Sequence, residues 1–251
     1  MSEYYESDRG TAEYLLFHYG DEADILPPEL RAHAPHGAVG FPARLVSELL
    51  VPNLPGRVSR ALDLGCAVGR TSFELTRVAE EVVGIDFSRQ FIATAQRLQR
   101  EGALAYDRTD EGTRSTRLQA ALPSGVEAAR VHFEPGDACH LRADLGSFDL
   151  LVLANLICRL PEPRLCLERL PELARPGGFL LITSPYTWLE EHTPTLSWIG
   201  ATPAGSSHAA LSDLLQAAFE PVLRRDLPFL IREHARKYQW SVAEATLWRR
   251  R

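Results

Sequence analysis

The stretch Ala61-Leu62-Asp63-Leu64-Gly65-Cys66-Ala67-Val68-Gly69-Arg70 constrains the fold of this chain more than any other. A short apolar run passes into a glycine turn that opens a helix. This is how the first strand of an open parallel sheet hands over to its helix, at the edge where such sheets bind ligands. Asp63, Gly65 and Gly69 bring a carboxylate, a sharp turn and a close backbone approach into one connection. A dinucleotide site would need G-x-G-x-x-G here, to seat a pyrophosphate on the helix N-terminus. Ala67 stands where the middle glycine would be, and an aspartate ahead of the first glycine repels phosphate and attracts an ammonium group.

Two further carboxylates end apolar runs. Asp86 closes Val82-Val83-Gly84-Ile85, where an acid at the end of the second strand accepts both ribose hydroxyls of a nucleoside; the alternative is a helix N-cap ahead of Ser88-Arg89-Gln90-Phe91. Phe87 then lines the base slot. Asp137, with Ala138 and Cys139, follows the third strand, Val131–Glu134, and is placed to accept from an exocyclic amine, or else is a plain turn residue. The fourth strand, Phe148–Ala154, ends at Asn155-Leu156, which face the crevice between strands one and four. After a helix over 162–173, Arg175-Pro176-Gly177-Gly178 turns into strand five, Phe179–Thr183. Its following loop carries Tyr186, Trp188, Glu190, Glu191 and His192, so rings and acids gather where specificity commonly lies.

The two ends complete the plan. The first twenty residues predict a polar opening and then a helix, capped by Ser7 or Asp8 and ended by Gly20, and the density of rings around it predicts that the arm packs on the core. A second helix is expected from Phe41 or Pro42 to Leu50, so 1–50 act as a helical cap and 57–251 as the core of a single domain. Residues 102–129 lack clear periodicity and carry two ragged strands at most. A helix over 211–219 and strands over 220–230 and 238–250, linked by charged residues 232–237, give a terminal antiparallel hairpin. The expected fold is Rossmann-like α/β: a seven-stranded, mostly parallel sheet under an N-terminal helical lid.

Charge and composition exclude several classes. With 27 Lys and Arg against 33 Asp and Glu, the net charge of −6 disfavours nucleic acid and favours a small-molecule substrate. No basic leader precedes an apolar run, and no stretch of about 18 apolar residues occurs, so neither a membrane span nor export is expected and the location is cytoplasmic. Cys66, Cys139, Cys158 and Cys166 form no C-x-x-C pair; they are expected as buried or pocket-lining thiols, with no bound metal.

The Gly65 turn resembles motif I of the class I methyltransferases, in which the ammonium belongs to the methionine end of S-adenosylmethionine. The resemblance gives Asp63, Gly65, Cys66, Ala67, Gly69, Asp86, Phe87, Asp137, Ala138, Cys139, Asn155 and Leu156 as the cofactor set, with S-adenosylhomocysteine as product. A narrower likeness rests on Tyr4–Arg9, Glu13–Gly20, Ala154–Pro161, Thr183–Glu191 and Pro228–Trp240, which resemble the methyltransferase module of ovothiol biosynthesis. That resemblance implies N-methylation of 5-thiohistidine (4-mercaptohistidine) on the ring nitrogen nearer the side chain. The module is often fused behind an iron-dependent sulfoxide synthase; with none preceding it here, a functional link to a separate synthase is expected. Asn155, Tyr186, His18, Tyr19 and Glu190 are candidates to hydrogen-bond the ring or relay its proton. Tyr5, Arg9, Arg159, Trp188 and Arg232 are candidates to hold the rest of the substrate. Rival readings are a methyltransferase for another small amine or carboxylate, and a non-catalytic cofactor-binding partner.

Overall fold

The computed structural model describes residues 3–203 and 205–251. A helical turn at Glu3–Glu6 leads into α1 (Asp8–Tyr19), whose N-cap is Ser7, accepting from the Gly10 amide at 3.0 Å. Two single-turn helices, α2 (Glu22–Ile25) and α3 (Pro28–Arg31), cross to α4 (Phe41–Arg44), which runs on through wider turns to Leu50. The core then alternates: β1 (Val58–Leu64), α5 (Arg70–Leu75), β2 (Ala79–Asp86), α6 (Arg89–Glu101), a hairpin of β3 (Ala103–Glu111) and β4 (Arg114–Ala121), β5 (Val131–Pro135), β6 (Phe148–Ala154), α7 (Pro163–Leu173), β7 (Ala174–Ser184), α8 (Ser207–Leu215), β8 (Phe219–His234) and β9 (Lys237–Arg250).

Seven strands form one sheet in the order β5-β2-β1-β6-β7-β9-β8. The first five run parallel, and β9 is antiparallel to both β7 and β8. Strand order reverses between β1 and β6, so a crevice opens at their C-terminal ends. Alternation along the buried strands sends successive side chains to opposite layers: Ala61 packs under α4 and α5, whereas Leu62 and Leu64 pack with α7 and α8. No helix among the described residues is long and apolar enough to cross a membrane.

Several boundaries differ from the sequence reading. The helix that the sequence predicts from Gly69 to about Ala79 stops at Leu75, because β2 begins at Ala79 and needs the intervening residues as a turn. Residues 103–121 are an ordered two-stranded hairpin, bulged between Thr109 and Glu111, where cross-strand pairing makes up for weak periodicity. The Arg175–Gly178 turn lies inside β7 as a bulge: pairing with β6 jumps from Phe148↔Ala174 to Leu150↔Phe179, and Gly177 takes φ 78°. The helix expected at 211–219 begins instead at Ser207, capped by Ser206, and ends at Leu215. The terminal strands are longer than expected, so the charged link shrinks to Ala235-Arg236.

Candidate cofactor and acceptor site

One cavity sits over the C-terminal ends of β1, β2, β5 and β6, roofed by α1, α4 and the β8–β9 hairpin. Toward the strand ends it is lined by Gly65, Cys66, Ala67, Asp86, Phe87, Asp137, Ala138, Asn155 and Leu156. Three non-glycine residues with positive φ follow strands of the sheet at this edge: Ala67 (47°) after β1, Asn155 (54°) after β6 and Tyr186 (50°) after β7. Such conformations cost about 1–3 kcal/mol each and persist where surrounding packing enforces them, commonly at functional sites. Gly65 is required for two reasons. Its φ is 74°, and a Cβ there would approach Leu156 Cδ1 to 2.8 Å.

Asp86 shapes the cofactor end. Its Oδ2 accepts from the Ala67 amide at 2.9 Å and its Oδ1 from the Ser88 amide at 2.8 Å. The expected helix-cap role belongs to Ser88, whose Oγ accepts from the Phe91 amide at 3.0 Å. Each carboxylate oxygen keeps a further acceptor site, the pair that two ribose hydroxyls need. Burial pushes the Asp86 carboxyl up to about 6, against the pull of the two amides. Asp137 is fixed by the Cys139 amide at 2.8 Å and by His140 Nδ1 at 3.0 Å, while Phe87, half exposed, forms a rim. Together these groups fit an adenosine.

Asp63 is placed otherwise than the sequence reading had it. It is fully buried behind the turn and does not line the cavity; Oδ2 accepts from Ser72 Oγ at 2.6 Å and Oδ1 has no hydrogen-bond partner among the described residues. Burial, ahead of the Asp86 charge, pushes its carboxyl up to about 7. Gly69 also lies off the cavity: with φ 87°, a Cβ there would meet Phe133 Cζ at 2.7 Å, so this glycine serves helix packing. Cys139 points away and donates its thiol to Glu162 O at 3.4 Å.

The acceptor end gathers Tyr5, Tyr14, Phe17, His18, Phe41, Arg159, Phe229, Ile231, Gln239 and Ser241. His18 is buried among Tyr14, Phe17 and Tyr19, its Nδ1 has no partner, and burial, then the Arg70 charge, pushes its pKa down to about 3. It is a neutral hydrogen-bonding group at neutral pH. Arg159 is half-buried, donating to Thr187 O at 2.8 Å and Cys158 O at 3.1 Å, with no carboxylate partner among the described residues. Asn155 is held by Thr183: its amide N–H donates to Thr183 O at 2.9 Å and its Oδ1 accepts from Thr183 Oγ1 at 3.0 Å. That leaves Nδ2 without a hydrogen-bond partner among the described residues, at the junction of the two ends.

Six other candidates do not reach the cavity. Tyr19 donates to Val68 O at 2.8 Å and stacks under Arg70. Arg9 is exposed and pairs with Glu13. Trp188 is buried against Trp198 and donates to Ser207 Oγ at 2.9 Å. Glu190 is exposed and accepts from Thr195. Tyr186 donates to Glu244 at 2.8 Å. Arg232 is buried in a structural ion pair with Asp110 at 3.0 Å. The sequence reading missed Phe229, Ile231, Gln239 and Ser241; the period-2 alternation of the terminal strands was the available signal.

A methyltransferase-domain family model matches residues 62–180. No curated protein matches the chain in sequence. Solved structures of similar fold include the N-methyltransferase NodS from Bradyrhizobium japonicum WM9 in complex with S-adenosyl-L-homocysteine, 18% identical, the match covering 96% of this chain and 98% of that one, with TM-score 0.52. Magnesium protoporphyrin IX methyltransferase (ChlM) from Synechocystis PCC 6803 with bound SAH is also 18% identical, over 84% of this chain and 80% of that one, with TM-score 0.51. The sheet order, the terminal hairpin and these neighbours give the fold as the class I methyltransferase fold. The matched methyltransferase domain and these two neighbours, both holding S-adenosylhomocysteine, are what the chain is similar to.

Proposed function

We propose that this enzyme methylates a ring nitrogen of 5-thiohistidine, giving ovothiol A. The observation that carries the reading is the chemistry of the acceptor end. It holds Arg159, a guanidinium with no carboxylate partner among the described residues, inside aromatic walls, and its buried His18 and Tyr14 are poor bases at neutral pH: burial pushes His18 down to about 3 and Tyr14 up. An acceptor for such a site brings its own anionic group and its own available lone pair. Thiohistidine supplies both, because a thiol-substituted imidazole deprotonates readily and its carboxylate suits a guanidinium.

S-adenosylmethionine, when bound, supplies an electrophilic sulfonium methyl. Asp86 would hold its ribose, Asp137 its adenine, and the Gly65 turn, free of a side chain, would admit it closely. Asn155 Nδ2 and His18 hydrogen-bond the acceptor ring, Arg159 clamps its carboxylate, and the rings of Tyr14, Phe17, Phe41 and Phe229 exclude water while the nitrogen is held in line. A thiohistidine-forming enzyme would then supply the substrate. A second reading, methylation of another small amine bearing a carboxylate, is favoured by the same Arg159, since no lining group is specific for sulfur. Mass spectrometry of reactions with S-adenosylmethionine and a panel of histidine derivatives tests the proposal: methylated thiohistidine is expected, and turnover of another acceptor with none from thiohistidine refutes it.

A further inference from the structure

The terminal hairpin overruns the sheet. β9 pairs with β7 from Glu244 to Arg249, whereas its pairing with β8 continues to His234↔Lys237. The part between residues 227 and 243 therefore leaves the sheet and arches over the cavity. Phe229, Ile231, Gln239 and Ser241 face the cavity, with Ile231 paired to Gln239 and Phe229 to Ser241. The intervening residues face away, as strand alternation requires.

Arg232 is one of these. Its side chain is 3% exposed, with Nη2 donating to Asp110 Oδ1 at 3.0 Å and Nη1 donating to Ile25 O at 3.0 Å and Asp24 O at 3.3 Å. Asp110 lies at the end of the β3–β4 hairpin, where it also accepts from Arg108 Nε at 2.9 Å and from the Thr116 hydroxyl. Arg108 in turn donates to Asp24 O at 2.7 Å, and the Ala235 amide donates to Asp110 O at 3.0 Å. A single guanidinium thus joins three excursions from the sheet: the α1–α2 cap, the β3–β4 hairpin and the arched tip of β8–β9. None of the residues in this interlock lines the cavity. A buried ion pair gives little net stability, because desolvation offsets much of the attraction, but its fork geometry fixes the register of what it joins.

We propose that Arg232 and Asp110 are positioning residues for the acceptor: from behind the strand, their interlock sets the height of Ile231 and Gln239 over the cavity and so determines which acceptors fit. The inference rests on the proposed function in so far as thiohistidine is the acceptor used to read it. Arg232→Lys keeps the charge and loses the fork; Asp110→Asn keeps the shape and loses the charge, so one variant covers the other if either folds poorly. Hydrogen exchange needs no acceptor. In both variants, amide protection over residues 229–241 is expected to fall at least tenfold while 244–249 stays unchanged, and the Kd for S-adenosylhomocysteine to stay within twofold. With thiohistidine, KM is expected to rise about tenfold and kcat to stay within threefold. Unchanged protection at 229–241, an unchanged acceptor KM in a variant whose hairpin has loosened, or a parallel loss of S-adenosylhomocysteine affinity would each overturn the inference. If the wild-type enzyme turns over no thiohistidine, the proposed function fails, while the exchange comparison still decides the interlock.

Discussion

Replacing Asp86 by asparagine separates cofactor binding from folding. In the folded protein the carboxyl sits at about 6 against an ordinary 3.8, a difference worth about 3 kcal/mol of destabilisation at neutral pH at 1.36 kcal/mol per pKa unit. The asparagine removes that penalty. It also turns an N–H2 toward one of the two amides, Ala67 or Ser88, that the carboxylate now satisfies, at about 1–3 kcal/mol. The two effects nearly cancel, so the melting temperature of the free protein should move by only a few degrees. Cofactor binding has no such compensation. Losing charge-assisted hydrogen bonds to the ribose hydroxyls, with one neutral acceptor kept, costs about 2–4 kcal/mol, or roughly 30- to 1,000-fold in Kd. Titration calorimetry with S-adenosylhomocysteine reads this directly. Because ribose binding favours the ionised carboxylate, wild-type affinity should also fall as pH drops below about 6, with a proton released on binding, and the variant should lose that dependence. A variant Kd within threefold of wild type, or an affinity loss matched by an equal loss of free-protein stability, would refute the ribose assignment.

Arg159→Gln removes the acceptor-side cation and should raise acceptor KM by about tenfold or more, the scale of a lost charge-assisted hydrogen bond, with cofactor affinity unchanged; steady-state kinetics beside calorimetry checks both. Asp63 gives a stability prediction with a definite sign. Its folded carboxyl at about 7 lies above an ordinary 3.8, so the folded protein holds a proton that the unfolded chain has lost, and stability declines as pH rises from about 4 to about 7. Asp63→Asn, which can keep the Ser72 hydrogen bond, should therefore raise the melting temperature more at pH 8 than at pH 5, with an upper limit of about 4 kcal/mol; an equal gain at both pH values contradicts the burial argument.

The parallel half of the fold was legible because its signals are local. Short apolar runs mark β1, β2 and β6, followed by Gly65, closed by Asp86 and followed by Asn155 respectively, and all three of these residues line the cavity. The cofactor-end residues Asp86, Phe87, Asp137, Asn155 and Leu156 followed from where parallel strands end, and all line the cavity. Asp63 misled because its position along the strand is right while its side points to Ser72; a strand's facing depends on which layer covers it. The acceptor end was less legible for a different reason. Arg9, Trp188, Glu190 and Arg232 have suitable chemistry, but other partners take them up: Arg9 by Glu13 and Glu190 by Thr195 nearby in the chain, Trp188 by Ser207, and Arg232 by Asp110 and the carbonyls of residues 24 and 25. Ile231 and Gln239 reach the cavity only because β8 and β9 outrun the sheet, a length that no local pattern encodes.

The most direct test of the account is one turnover experiment with S-adenosylmethionine carrying a deuterated methyl group and 5-thiohistidine as acceptor, with the product resolved by mass spectrometry and NMR. The account predicts S-adenosylhomocysteine and N-methylated 5-thiohistidine in equal amounts, the label on a ring nitrogen, with turnover lost in proportion to acceptor affinity in Arg159→Gln. Label on sulfur or on the α-amine, or cofactor binding without any transfer to thiohistidine, would contradict it.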